Sequence, residues 1–485
     1  MPSHTDTAFF GHPSGLSTLF FTEMWERFSY YGMRALLILF MTAAVTEGGL
    51  GMSTADAGVI YGLVTAMVYM AALPGGWIAD QFLGLRKAVL YGGILIAIGN
   101  FCLVIPTMSA FYGGLAVIVV GTGLLKPNVS AIVGQLYTPT DARRDAGFSI
   151  FYMGINTGAL LAPFACGWIA QYNWRYGFGL AGIGMTIGLI QYTLGGRRLG
   201  DAGVKPAGEG DPAQSKRRLM CGLGTLSITV LITVMLAVMG VVSAKDIADA
   251  SGLVLLIVVI AFFGWLLFSA QWTPVERKRL IVIAGLFVAA AIFWSVFEQA
   301  GSTLNLFAER STANRILGYE YPAPFYQSVN SIFLVLLAPV FAWVWVRLGP
   351  KEPSSPAKFA LGLLLVGAGF LVLAIGATAA ASGVKVSPTW LVLTYLCHTM
   401  GELCLSPVGL SAMTKLAPAS VTGLMMGVWF LALSVGNYMG GRMASMYETL
   451  PLQTLFIAVG AFAIVAGIVL AMFVRPMVRL MGGVR

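Results

Sequence analysis

The stretch FFTEMWERFSYYGMRALLILFM, residues 20–41, is long and apolar enough for a membrane-spanning helix, yet it carries Glu23, Glu26, Arg27 and Arg34. At 3.6 residues per turn, Glu23, Glu26, Arg27, Tyr30 and Arg34 fall on one face, a single polar stripe down one helix. Each charge costs roughly a few kcal/mol or more at the centre of a bilayer, so the stripe must face other helices or a water-filled path. Two readings are open. A structural ion-pair knot accounts for Glu23 with Arg27, an i,i+4 pair, and leaves Glu26 and Arg34 without partners. A path for ions or solutes uses all of them.

The rest of the chain fits such a helix. It has 485 residues, 58% hydrophobic and 10% charged, with 59 glycines, which excludes a soluble protein with a sequestered core. An all-α polytopic membrane protein is expected, in the inner or plasma membrane of a cell. The net charge of +9 resides in short loops between apolar runs, where it reports orientation and not a nucleic-acid surface. The five cysteines, Cys102, Cys166, Cys221, Cys397 and Cys404, have no metal-ligand spacing and read as packing residues. The N-terminus lacks the pattern of a cleaved signal peptide. No G-x4-G-K-[ST], H-E-x-x-H or G-x-S-x-G occurs, so an ATP-driven pump or a common intramembrane hydrolase has no support, and no cofactor, metal or enzymatic activity is expected.

Apolar runs of span length occur near 17–45, 54–79, 87–106, 109–136, 144–171, 174–195, 219–242, 252–270, 280–308, 323–346, 358–381, 388–414, 420–446 and 453–474, fourteen helices in all. Lys and Arg collect on alternate loops, at Arg86, Lys87, Arg143, Arg144, Arg197, Arg198, Lys216 to Arg218, Arg277 to Arg279, Arg347, Lys351, Lys358 and Lys415, and on the C-terminal tail. The opposite loops hold Arg175, Lys245, Arg310, Arg315 and Lys385. This bias places both termini in the cytoplasm. A repeat, G-x5-P-x3-[AS]-x4-L-x10-G, occurs from Gly121 and Pro127 and again from Gly401 and Pro407, 280 residues later. It implies two six-helix bundles, 1–196 and 272–485, separated by a cytoplasmic linker at 197–218 and two accessory helices at 219–271.

Beyond the first helix, ionisable residues deep inside spans are few: Lys126, Glu298 and Glu402, with His398 and Arg442 nearer the margin. Counting 1.5 Å per residue from the cytoplasmic ends, Arg27, Lys126 and Glu402 lie about 15, 15 and 18 Å in, and Arg34 and Glu298 about 26 and 28 Å in. Acid and base thus match in depth twice between the halves, Lys126 with Glu402 and Arg34 with Glu298. Each pair suits a gate latch released when a proton neutralises the carboxylate, or a permanent staple between bundles. Tyr61, Thr65, Tyr69, Asn156, Trp294, Asn330, Trp429, Ser434 and Asn437 complete the candidate cavity lining. Cations and a carboxylate near the midplane suit a zwitterion with variable apolar side chains. His398, one turn before Glu402, tunes that carboxylate or simply packs.

Glu23-x-x-Glu26-Arg27-Phe28-x-Tyr30-Tyr31, GTGLLKPNVSAIVGQLY around Lys126 and FYMGINTGALLAP around Asn156 resemble signatures of the proton-dependent oligopeptide transporters, a branch of the major facilitator superfamily. GGWIADQFLGLRK, with Asp80 and Arg86, is similar to the superfamily's loop between helices 2 and 3. The resemblance implies a proton-coupled symporter of di- and tripeptides working by alternating access, functional as a monomer and driven by the proton gradient alone. In that reading Arg34 and Lys126 hold the peptide carboxylate, and Glu402 with Asn156 and Asn330 its amino group. Tyr30, Tyr31, Tyr69, Trp294 and Trp429 line the side-chain pockets, and Ser434 is a further substrate-binding residue. Glu298 is a principal proton site, and Glu23, Glu26 and Arg27 take part in coupling. Transport of another small organic or inorganic anion is the alternative, because family members with that activity share the first signature; a channel or a membrane enzyme is the alternative of a different class.

Overall fold

A computed structural model describes residues 6–138, 141, 143–204, 243–269, 272–316, 318–418, 421 and 424–483. The expected span at 219–242, most of the linker at 197–218 and Cys221 lie outside these residues. The described chain is helical almost throughout. Its helices are α1 Gly15–Thr42, α2 Thr54–Met70, α3 Ala72–Ile78, α4 Leu85–Val104, α5 Met108–Gln135, α6 Arg144–Ala170, α7 Trp174–Gly195, α8 Ala244–Phe268, α9 Pro274–Phe297, α10 Thr303–Ser311, α11 Phe325–Leu348, α12 Ser355–Ala380, α13 Thr389–Leu416, α14 Met425–Ala444 and α15 Leu452–Leu480. A small antiparallel hairpin, β1 Arg315–Ile316 with β2 Tyr319–Glu320, follows α10.

Among the described residues, 11 helical stretches are long and apolar enough to cross a bilayer. Helix α1, with its charge stripe, and α14, with Ser434, Asn437 and Arg442, stand apart from those by polarity. Leu194 on α7, Phe268 on α8 and Met472 on α15 are 79%, 85% and 73% exposed, which suits lipid and not water. The protein is an all-α integral membrane protein.

Two spans expected as unbroken helices are interrupted. In the first, α2 stops at Met70 because Pro74 has no N–H to give the Met70 carbonyl; α3 then runs into a π turn at Ala79–Leu83, and Gly84, at φ +74°, redirects the chain into α4. In the second, α9 ends at Phe297 and a 3-10 turn, Glu298–Gly301, precedes α10. Glu298 therefore sits at a helix break, not in a helix interior.

By its contacts the chain forms two compact units, one of Met1–Leu37 and Met67–Ile247, the other of Ile38–Ala66 and Ala248–Arg485. The first has a core of Leu16, Leu19, Val89, Ile132, Val133 and Met185, contributed by α1, α4, α5 and α7. Small residues let its helices touch backbone to backbone. A Cβ on Gly121 of α5 would stand 2.6 Å from the Gly92 carbonyl of α4, and one on Gly75 of α3 would stand 2.1 Å from the Gly123 carbonyl. Pro127 deprives that same Gly123 carbonyl of its helical donor. The second unit repeats the device, since a Cβ on Gly401 of α13 would stand 2.9 Å from the Gly362 carbonyl of α12. Pro407 lies inside α13 as Pro127 lies inside α5.

The segment after α7 is anchored. Arg86 donates to the carbonyls of Ala202 at 2.7 Å and Gly200 at 2.6 Å, so residues 200–203 rest on the loop that enters α4. Helix α8 is held to α14 by Asp249 with Arg442 at 2.6 Å. Glycine at 252 leaves room there for Tyr438, whose hydroxyl would lie 2.1 Å from a Cβ. That ion pair accounts for Arg442.

Candidate functional site

In the first unit, α1 presents its stripe as the sequence spacing requires, but Arg27 engages two carboxylates. Its Nε lies 2.9 Å from Glu23 and 2.6 Å from Glu26, and all three side chains are buried. Glu26 therefore has a partner, which the pairing of Glu23 with Arg27 alone did not supply. Arg27 also lies over the Tyr30 ring and Arg34 over the Tyr31 ring, each 5.7 Å from the centroid. Lys126, on α5 beside Pro127, places its Nζ 3.7 Å from the centroid of Tyr69 on α2, a close cation–π contact. Asn156 on α6 donates to the Tyr152 carbonyl at 2.9 Å. Tyr69 and Lys126 are thus brought together, a pairing that no spacing in the chain announces.

In the second unit, Asn330 of α11 donates to the Glu402 carboxylate at 3.1 Å and to Thr399 at 3.0 Å, joining α11 to α13. Among the described residues of this unit no Lys or Arg pairs with Glu402. Trp294 of α9 and Trp429 of α14 meet edge to face at 6.3 Å, and Gly409 of α13 makes room for the Trp429 ring, which a Cβ would approach to 2.3 Å. Trp294 is buried, and its Nε1 has no hydrogen-bond partner among the described residues. Glu298, also buried, lies one turn beyond Trp294, whose carbonyl accepts from the Glu298 N–H.

Two expected lining residues are occupied elsewhere. The Ser434 hydroxyl donates to the Ala66 carbonyl at 2.9 Å, fastening α14 to α2, and Thr65 turns back to the Tyr61 carbonyl. His398 packs between Phe297 and Phe370, with ring centroids 6.1 and 5.4 Å away, on the side where Gly369 leaves space. That supports a packing role.

Sequence reading missed two features. Thr399 shares the Asn330 amide and was findable, being three residues before Glu402 on the same helix. The other has no motif: at the end of α10, Arg310 donates to Glu448 at 2.6 Å and to Thr54 at 3.2 Å, and Thr54 donates to Glu448 at 2.5 Å. These three residues come from 54, 310 and 448, each at a helix end or in a loop.

The profile of the POT family matches residues 86–465. The chain belongs to the POT family. Its relatives include the peptide transporter YePEPT of Yersinia enterocolitica, 42% identical over 98% of this chain and 96% of that one, and a di-/tripeptide transporter of Lactococcus lactis subsp. cremoris, 38% identical over 99% of both. A peptide transporter POT solved with sulfate superposes with a TM-score of 0.93 at 43% identity, covering 98% of this chain and 97% of the other. A mutant of such a transporter holding alafosfalin matches with a TM-score of 0.91 at 43% identity over the same shares of the two chains. This POT-family chain is a membrane transporter and not an enzyme.

The Thr54–Arg310–Glu448 cluster has a predictable acid response. Hydrogen bonds from Thr54 and then Arg310 hold the Glu448 carboxylate below its usual range. A carboxylate with a lowered folded-state pKa contributes in full above its unfolded value of about 4.3 and loses the contribution as pH falls through the lowered one. Distance probes at Ser53 and Met446 are therefore expected to read the same separation from pH 8 to pH 5 and to diverge only in stronger acid. Separation near pH 6 would instead assign a physiological proton response to this cluster.

Proposed function

We propose that this POT-family chain is a proton-coupled symporter importing di- and tripeptides by alternating access. The observation that carries the reading is the half-buried Glu402 carboxylate, which has an amide donor in Asn330 and pairs with no Lys or Arg among the described residues of its unit. Such a group calls for an ammonium or a proton. Lys126 and Arg34 offer the complementary cations for a peptide carboxylate, Arg34 in bidentate form. Asn156 completes the polar lining, while Tyr30, Tyr31, Tyr69, Trp294 and Trp429 form aromatic walls tolerant of varied side chains. The Trp294 Nε1–H, without a partner among the described residues, suits a peptide carbonyl. Ser434 acts through helix packing in this reading. The names of the relatives support peptides over other anions.

Glu298 and Glu402 are the proposed proton sites, with Glu23, Glu26 and Arg27 coupling on the cytoplasmic side and Arg34 with Glu298 forming the upper latch. The six-plus-two-plus-six division, 1–196, 219–271 and 272–485 around the 197–218 linker, and a working monomer belong to the same proposal. Under that division α2 is part of the N-terminal bundle, so its contacts with α14 join the bundles at their outer end. The Thr54–Arg310–Glu448 cluster is then an outer clasp.

Labelled dialanine loaded outside proteoliposomes is expected to accumulate only with an inward proton gradient. Flux of ions without substrate would indicate a channel, consumption of the dipeptide an enzyme, and uptake blocked by nitrate but indifferent to dipeptide the anion alternative. Orientation has its own test. With the five native cysteines replaced, external thiol reagent on intact cells is expected to reach a cysteine at Ser382 and not one at Asp201; the reverse would invert the depth scale.

A further inference from the structure

At the end of the second unit where α12 begins and α13 and α15 finish, a cavity of about 660 Å³ is lined by Lys358, Lys415, Arg475 and Arg479, with Glu352 as the one carboxylate among its described lining residues. Lys358 is not a loop cation. It is 6% exposed, in the first turn of α12, with its Nζ 2.5 Å from Glu352 and 4.5 Å from the centroid of Trp345. A helix N-terminus is the positive end of the macrodipole, so a lysine there is opposed by the helix it belongs to. Ser354, at the cap of α12, makes no side-chain capping bond. Four cations and the α12 terminus therefore converge on one concave space against a single carboxylate. The positive-inside rule asks for exposed basic loops and accounts for Lys415, Arg475 and Arg479; it does not account for a buried lysine at an uncapped helix start. Excess positive potential in a cavity of that size selects an anion, and the geometry of several Lys and Arg donors around one space suits the oxygens of a phosphate.

The surroundings favour a phosphate that brings acyl chains with it. Three and two residues before Arg475 on α15, Met472 and Phe473 are 73% and 56% exposed, and Val346 at the end of α11 is 82% exposed. The basic cavity thus borders lipid-facing apolar surface. We propose that this cavity is a phosphate-binding site occupied by the headgroup of an anionic phospholipid, independent of the peptide site and of which solute the protein carries. A soluble phosphate is the other source of the same chemistry.

Native mass spectrometry of the purified full chain, titrated with phosphatidylglycerol, with phosphatidylcholine and separately with inorganic phosphate, decides it. The parent is expected to retain phosphatidylglycerol over phosphatidylcholine. The variant Lys415→Gln with Arg475→Gln and Arg479→Gln, all exposed positions, is expected to weaken retention by roughly fivefold per cation, on the order of a hundredfold for three. A charge-matched control outside the cavity lining, Lys87→Gln with Arg277→Gln and Lys278→Gln, is expected to weaken retention less than the cavity variant. Glu352→Gln is expected to tighten retention. Loss of inorganic phosphate alone in the cavity variant, with lipid retention unchanged, keeps the site and makes its occupant soluble. Equal behaviour of the cavity and control variants toward both phosphate sources, or no preference for either phosphate in the parent, overturns the site.

Discussion

Glu298→Gln is expected to leave peptide exchange between loaded vesicles and medium intact and to abolish accumulation driven by the proton gradient. The residue is buried at the break between α9 and α10, where the 3-10 turn starts and the Trp294 carbonyl is one turn away. A side chain at a helix interruption reorients at lower cost than one packed within a continuous helix, which suits a group that changes charge and partner. In the proposed cycle it pairs with Arg34 when the outer side is closed; a proton from outside cancels that attraction, and the freed guanidinium takes the incoming carboxylate. Proton and peptide then favour the same state. The membrane potential contributes about 2.3 kcal/mol per charge per 100 mV, so one proton per neutral peptide concentrates it roughly fiftyfold. That factor is what the glutamine variant loses. A variant that still concentrated dialanine with the parental pH dependence would remove Glu298 from coupling and leave Lys126 with Glu402 as the candidate switch.

The second large effect is steric. Gly62→Ala is expected to reduce the initial rate of gradient-driven uptake by about tenfold or more, because a Cβ there would stand 2.5 Å from the Cα of Gly441 and 3.1 Å from the Asn437 carbonyl. Both obstacles are backbone, so α2 and α14 must separate. Overpacking of this kind costs about 1–3 kcal/mol, and the cost falls only on the state in which α2 and α14 touch. Distance probes at Ser53 and Met446 are expected to shift outward in the same variant. Gly76→Ala is the matched control, since its Cβ would meet nothing nearer than 3.8 Å, on Pro127. Parental uptake and unchanged distances in Gly62→Ala would sink the assignment of this crossing as the outer closure.

The charge stripe on α1, the order of spans and the repeat through Pro127 and Pro407 were legible in the sequence. Helical period and apolar run length are local properties, and lipid forces every backbone polar group into its own helix, so a span is readable from its own residues. Lys126, Glu298, Asn330 and Glu402 stood out for the same reason, because a polar side chain in a long apolar run needs a purpose wherever it folds. The breaks at Pro74 and after Phe297 were harder, the second above all, since Gly301 and Ser302 are common inside spans. Tertiary structure decided what each polar group touches: that Arg27 holds both Glu23 and Glu26, that Tyr69 lies against Lys126, that Ser434 is committed to the Ala66 carbonyl, that His398 packs between phenylalanines. The Thr54–Arg310–Glu448 cluster and the basic cavity around Lys358 were invisible beforehand, being assembled from helix ends far apart in the chain. Sequence spacing sets which face of a helix a residue occupies; which neighbour that face meets depends on close approaches such as Gly62 to Gly441, and those exist only once the helices have packed.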